Sequence, residues 1–218
     1  MRTTTLIALT AATALGLSAC GGSEPLTQEQ TRDALLTESE FPLDGFTAGT
    51  ITEHDGGDDS GDSAGDLLAG FPGAEELDQE CQDALSALSS LDADFEASSS
   101  LDFTGSEGDS PFGAPEVTVV VASMKDGDNP LDTVEGLNSA CEEVTIEEEG
   151  MSMTMKFEDI DGDAQGTKIT MEVMGQSMEL AVAGRENGGN YAIATGMGVS
   201  DDEVIEVLDA QESKISDL

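Results

Sequence analysis

The sequence predicts an α+β fold: one antiparallel β-sheet of five to seven strands, packed by three to four helices, with one interhelical disulfide. Three observations predict it. Apolar residues recur at helical spacing in residues 74–91 and again after Asn129-Pro130. The C-terminal half is a run of short β-prone segments broken by Gly and Asn turns. Helices and strands are not interleaved as regular βαβ units, so a parallel sheet is not expected.

The chain opens with a leader. Arg2 gives a positive start, Leu6 to Leu17 is apolar apart from Thr10 and Thr13, and Leu17-Ser18-Ala19 is a small-residue exit. This is the layout of a secretory signal, too short to be a comfortable membrane span. Leu17-Ser18-Ala19-Cys20 matches the bacterial lipobox at all four positions. In that resemblance residues 1–19 are removed and the Cys20 thiol carries diacylglycerol. Two acyl chains anchor stably where one does not. The expected location is therefore the extracytoplasmic face of the cell membrane, with residues 20–25 as lipidated cysteine and tether and 26–218 as a single extracytoplasmic domain. An ordinary cleaved signal, leaving Cys20 as a free thiol, is the plainer alternative.

The first helix is expected after Thr27, which forms a capping box with Gln30, and Phe41-Pro42 is its stop. Phe46 to Glu53 reads as an edge strand. HDGGDDSGDSAGD at 54–66 has no apolar residue larger than Ala. It cannot bury surface, so a mobile acidic loop is expected over 54–70. In the helix over 74–91, Leu77, Cys81, Ala84, Leu85, Leu88 and Leu91 share a face. Glu75 and Glu76 suit the positive end of its dipole. Phe95 to Phe103 alternates apolar or small with polar, as in a strand with one wet face. VTVVVASM at 117–124 is apolar on both faces, as in a central strand.

Asn129-Pro130 opens the next helix, with Asn as cap and Pro in the first turn, and Val134, Leu137 and Cys141 inward. Val144–Glu148, Met151–Phe157, Thr167–Met174, Ser177–Ala183 and Asn190–Thr195 then form a meander. Gly150, Gly175-Gln176 and Asn187-Gly188 supply turns. Ser200 and Glu203 form a second capping box, starting a last helix with Val204, Ile205, Leu208 and Ile215 inward. With Cys20 acylated, Cys81 and Cys141 remain, each on a buried helix face in an oxidising compartment. A disulfide between them is the natural reading, and two buried free thiols the alternative.

The leader holds one of the seven basic residues and none of the 47 acidic ones. The chain beyond the leader carries 6 basic against 47 acidic side chains, a formal charge of −41. That repels phosphate backbones, so nucleic acid is not a partner, and it repels anionic headgroups. Solubility is the simplest use of the charge.

Four patterns invite chemistry. GDSAG at 61–65 matches G-x-S-x-G, but the flanks are acidic and glycine-rich and the only histidine is His54 in the same expected loop. We read it as a chance match. Met151, Met153, Met155 and Phe157 fall on one strand face, with Met171 and Met178 facing them across the sheet. A strand wall packed under helices is the commonest use of such methionines. An apolar ligand cavity comes second and a Cu(I) site third, thioethers being soft ligands. DIDGDAQG at 159–166 has Gly162 at the wrong place for an EF-hand and no closing Glu, so a polar turn is expected and no metal site. No G-x-x-x-x-G-K is present. We expect no enzyme and no cofactor.

The order of parts resembles actinobacterial cell-envelope lipoproteins that look like the PknH-type extracellular sensor domain of mycobacterial receptor kinases. The resemblance runs from about Leu26 to Ile215. It rests on a first helix ending in FPLDGF, the helices bearing Cys81 and Cys141, the turn IDGDAQGT, and the paired strands AVAGRENGGNYAIAT. It implies an antiparallel sheet packed by helices, with a ligand-binding cleft. PknH-type domains carry two disulfides, whereas the chain after Cys20 can form one. There is no kinase segment here, so signalling in cis is not expected. The functional expectation is a lipid-anchored, sensor-like binding lipoprotein without catalysis. Its partners are the membrane through Cys20 and a small molecule, wall component or envelope protein. The alternatives are a lipid or glycolipid carrier with a Met-lined cavity and, third, a Cu(I)-binding envelope protein.

Overall fold

The computed structural model describes residues 24–55, 77–88, 95–106, 113–124, 129–148, 151–160, 162–173 and 175–216. The leader, Cys20, GDSAG and the acidic loop from residue 56 onward lie outside them. Helices are α1 (Gln28–Ala34), α2 (Gln79–Leu88), α3 (Pro130–Cys141) and α4 (Asp201–Ser216). Strands are β1 (Thr47–Ala48), β2 (Thr52–Asp55), β3 (Ala97–Thr104), β4 (Glu116–Ser123), β5 (Glu143–Glu148), β6 (Met151–Asp159), β7 (Gln165–Val173), β8 (Gln176–Asn187) and β9 (Asn190–Met197).

The α+β class and the antiparallel sheet hold, but among the described residues the sheet has nine strands rather than five to seven. The order is β1-β3-β4-β9-β8-β7-β6-β5, with β2 also paired to β3. The run from β5 to β9 is a meander, as the spaced turns predict. β4 lies between β3 and β9, which is why its sequence is apolar on both faces. The expected edge strand over 46–53 is two strands, split after Ala48, pairing with opposite ends of β3. His54 stands in β2, opposite Ser98, so the first residues assigned to the acidic loop are strand.

Helices cover both faces of the sheet at different places. α1 and α4 pack over Leu101, Phe103, Val117, Val119, Ala181 and Ala194, using Val204, Val207 and Leu208 of α4. α2 and α3 pack over Met155, Phe157, Ile169, Met171, Leu180 and Val182. Strand alternation makes this possible: in β8, Ala181 and Ala183 serve one core while Leu180 and Val182 serve the other. Cys81 and Cys141 form a disulfide with Cα atoms 4.8 Å apart, tying α2 to α3.

Caps act as the sequence predicts. Thr27 and Gln30 make a reciprocal capping box. The Asn129 side chain accepts the Leu131 N–H at 3.0 Å, and Glu203 accepts the Ser200 N–H at 2.8 Å. Two details differ. α1 stops at Ala34, well before Phe41-Pro42, because Leu35 turns extended and the Leu36 N–H bonds to Gln211 of α4 instead. In α4 the buried positions are Val204, Val207, Leu208 and Gln211, while Ile205 and Ile215 are only partly buried.

Candidate functional site

Most of the predicted methionine face is one structural unit. Met155 lies opposite Met171, and Met171 opposite Met178, so three thioether side chains form a row across β6, β7 and β8. Met155 and Met171 are buried, as is Phe157; Met153 and Met178 are half-buried at the margin. The side chain of Met151 lies outside the described residues; its backbone pairs with Glu148 at the β5–β6 turn. Above the row sit Val134, Leu137 and Cys141 of α3, then Leu77, Cys81 and Leu85 from the α2 region. The centre of the row is therefore filled by helix side chains, the use that adaptable Met side chains serve best.

At one end the row opens onto the surface. Met178 and Met197 line a hollow of about 350 Å³ with Ser177, Glu179, Ala114 and Gly198. Its wall is fixed by the Gly198 N–H bond to the Glu179 carbonyl at 3.0 Å, with Gly198 at a φ of 70° that glycine adopts readily. Met197 lies outside the methionine set that the sequence pattern picks out. It was legible by parity, being two residues beyond Thr195 on the face that carries Tyr191 and Ile193, once β9 is carried to its true end.

A second concavity is polar. Between α3 and the end of β6, a shallow groove of about 710 Å³ is lined by Asp132, Glu135, Asn138, Glu142 and Asp159, with Phe157 at its edge. Amide side chains organise it. Asn138 donates to Asp159 at 2.6 Å and accepts the Thr167 hydroxyl. Gln165 donates to Asp132 at 3.0 Å and Glu135 at 3.2 Å, and accepts from Asn129. Neutral amides thus hold α3 to β7 and leave the groove's charge negative.

The turn between β6 and β7 places Asp163 2.6 Å from Arg185. That hydrogen bond and charge lower the Asp163 carboxyl below its ordinary value. Asp209 and Glu212 of α4 hold the same guanidinium, at 2.6 and 2.9 Å. This carboxylate is thus committed to an ion pair. Among the described residues no group of three or more His, Cys, Asp or Glu side chains is placed to hold a metal ion, and no helix is long and apolar enough to cross a membrane.

No family model matches the chain, and no characterised protein matches it by sequence. By structure it is similar to the extracellular domain of PknH from Mycobacterium tuberculosis, at 15% identity and a TM-score of 0.56, covering 90% of this chain and 100% of that one. It is also aligned with an uncharacterised Mycobacterium smegmatis protein at 13% identity and a TM-score of 0.43, covering 85% of this chain and 95% of that one. At these identities the first likeness is one of fold.

Proposed function

We infer that this chain is a lipid-anchored, extracytoplasmic binding module, sensor-like and without catalysis. The observation that carries the reading is the filled methionine core beside a shallow polar groove. A carrier of lipid tails needs an apolar cavity of its own, whereas here α2 and α3 occupy the space above Met155 and Met171. The hollow at Met178 and Met197, about 350 Å³, is near the lower end of the roughly 300–1,000 Å³ typical of small-molecule sites. It suits a small ligand or a protruding partner side chain.

The location rests on the lipobox at Leu17 to Cys20 and on the disulfide, which belongs to oxidising compartments. The likeness to an extracellular domain supports the same side of the membrane. The ligand is a small molecule, a wall component or another envelope protein. The net charge of −40 favours one that is neutral or cationic.

The test is mass spectrometry of the intact protein extracted from actinobacterial membranes. We expect a diacylglycerol adduct on Cys20 and no co-purifying lipid in the native spectrum. A stoichiometric non-covalent lipid would replace the binding module with the carrier. A Cys20→Ala protein that still partitions into membranes, with no accumulated precursor, would remove the anchor. For Cu(I), titration of Met153→Leu and Met155→Leu variants decides; unchanged binding removes that idea.

A further inference from the structure

We propose that the molecule is oriented by its own tether, with the β8–β9 turn end of the sheet toward the membrane and the Met178–Met197 hollow facing away. This rests on the lipid anchor at Cys20 inferred above.

The entry of the chain into the body is fixed by side chains, not left loose. The Leu26 N–H donates to Asn190 Oδ1 at 2.8 Å, and the same amide donates to the Glu24 carbonyl at 3.1 Å. Ser123 Oγ donates to the Leu26 carbonyl at 2.7 Å. Asn190 and Ser123 face one another across β9 and β4, and both are buried. Next to them Ala97 faces Ser123, and the Met124 N–H bonds to the Gly189 carbonyl. The first residues are thus sewn to one end of the sheet, the end formed by the β8–β9 turn.

Chain length then limits the distance to the bilayer. Four residue steps separate Cys20 from Glu24, and at most about 3.5 Å per step keeps Glu24 within about 14 Å of the acylated residue. β8 runs from this end to the opposite one over Gln176–Asn187. At about 3.3 Å per residue, its two ends are about 36 Å apart. Ser177, Met178 and Met197 line the hollow at the far end. Lying flat would lay more of a body of net charge −40 against an anionic surface than standing on one end does. A hollow held outward meets soluble and wall-borne partners, not lipid still in the bilayer.

The test uses the full-length lipoprotein in anionic vesicles with an acceptor dye on the headgroups. A donor is placed on Glu96→Cys, exposed at the near end, or on Gln176→Cys, exposed at the far end. With Cys20 acylated and Cys81–Cys141 closed, the introduced thiol is the one that labels. We expect energy transfer several-fold stronger from position 96 than from 176. Equal transfer from vesicle-bound protein, or stronger transfer from 176, overturns the orientation and leaves the anchor standing. Protein that does not sediment with vesicles and lacks the lipid mass overturns both.

Discussion

Gln211 on α4 accepts the Leu36 N–H at 3.1 Å from a position with no solvent exposure. Its Nε2 donates to the Ala34 carbonyl at 2.7 Å. One amide thus replaces the partners that α1 would have found by continuing, and it joins the first helix to the last. Lys214, one turn on, donates to the Leu35 carbonyl at 2.7 Å.

Gln211→Leu is nearly equal in volume but leaves a buried N–H and C=O without partners. Each such group costs about 1–3 kcal/mol, so the two together cost about 2–6 kcal/mol. We expect urea unfolding to show a stability loss of that size, as a lower midpoint with an unchanged slope. A loss below about 0.5 kcal/mol would mean that α1 relaxes its end without needing the clasp.

The contrast between what the sequence made legible and what it did not follows from range. The meander was readable because Gly175 and Asn187-Gly188 sit between segments of clean two-residue period. β4 was readable because it is apolar on both faces, with Val117, Val119 and Val121 under α1 and α4 and Ala122 and Met124 packed with Phe95, Leu131 and Tyr191 on the other side. Caps at Thr27, Asn129 and Ser200 are local chemistry and were readable too. The early end of α1 was not, because its cause lies 175 residues away in Gln211. Nor was the amide network of Asn138 and Gln165, which exists only once α3 lies across β6 and β7. Parity gives the methionine row, but Met197 lies beyond Thr195, past Gly196 at the end of β9, so the hollow it lines is not marked by the strand pattern.

The disulfide joins residues 60 apart in sequence, and on loop-entropy grounds it stabilises by about 4 kcal/mol. α2 leans on α3 and on the cluster beneath it, so it should be the element released first. For the Cys81→Ser/Cys141→Ser variant we expect a loss near that size. Hydrogen exchange should speed in residues 79–88 well before it does in β8 or β9. Uniform acceleration across the sheet would show that α2 and the sheet unfold together.

Two glycines predict opposite outcomes. A Cβ on Gly136, within α3 on the groove, would meet nothing within 4 Å. Gly136→Ala should raise stability by about 0.5–1 kcal/mol through the lower entropy of the unfolded chain. A Cβ on Gly166 in β7 would sit 2.1 Å from the Val182 carbonyl oxygen. Backbone cannot give way as a side chain tip can, so Gly166→Ala should cost at least about 1–3 kcal/mol. Thermal melts of both variants decide: a lower midpoint for Gly136→Ala would contradict the open space on α3, and an unchanged or higher one for Gly166→Ala would contradict the close approach of β8 to β7.

Lys214 Nζ lies 2.6 Å from Glu40 Oε2. Its hydrogen bond, together with the Thr37 N–H and hydroxyl, lowers the Glu40 carboxyl from an ordinary 4.5 to about 2. A carboxyl lowered by folding stabilises fully above its unfolded value, and that stability is lost as pH falls through the folded one. The window therefore runs from about pH 4.5 down to about 2. Glu40 is about half exposed, so solvent screens the effect and it should be small. Acid also relieves self-repulsion in a chain of net charge −40, in the opposite direction. The comparison must then be between the parent and Glu40→Gln, in which that common term largely cancels. We expect the parent to be the more stable by a constant margin from about pH 7 to 5, with the margin closing between about 4.5 and 2. A margin unchanged at about pH 2.5 would assign Glu40 a role in shape rather than charge.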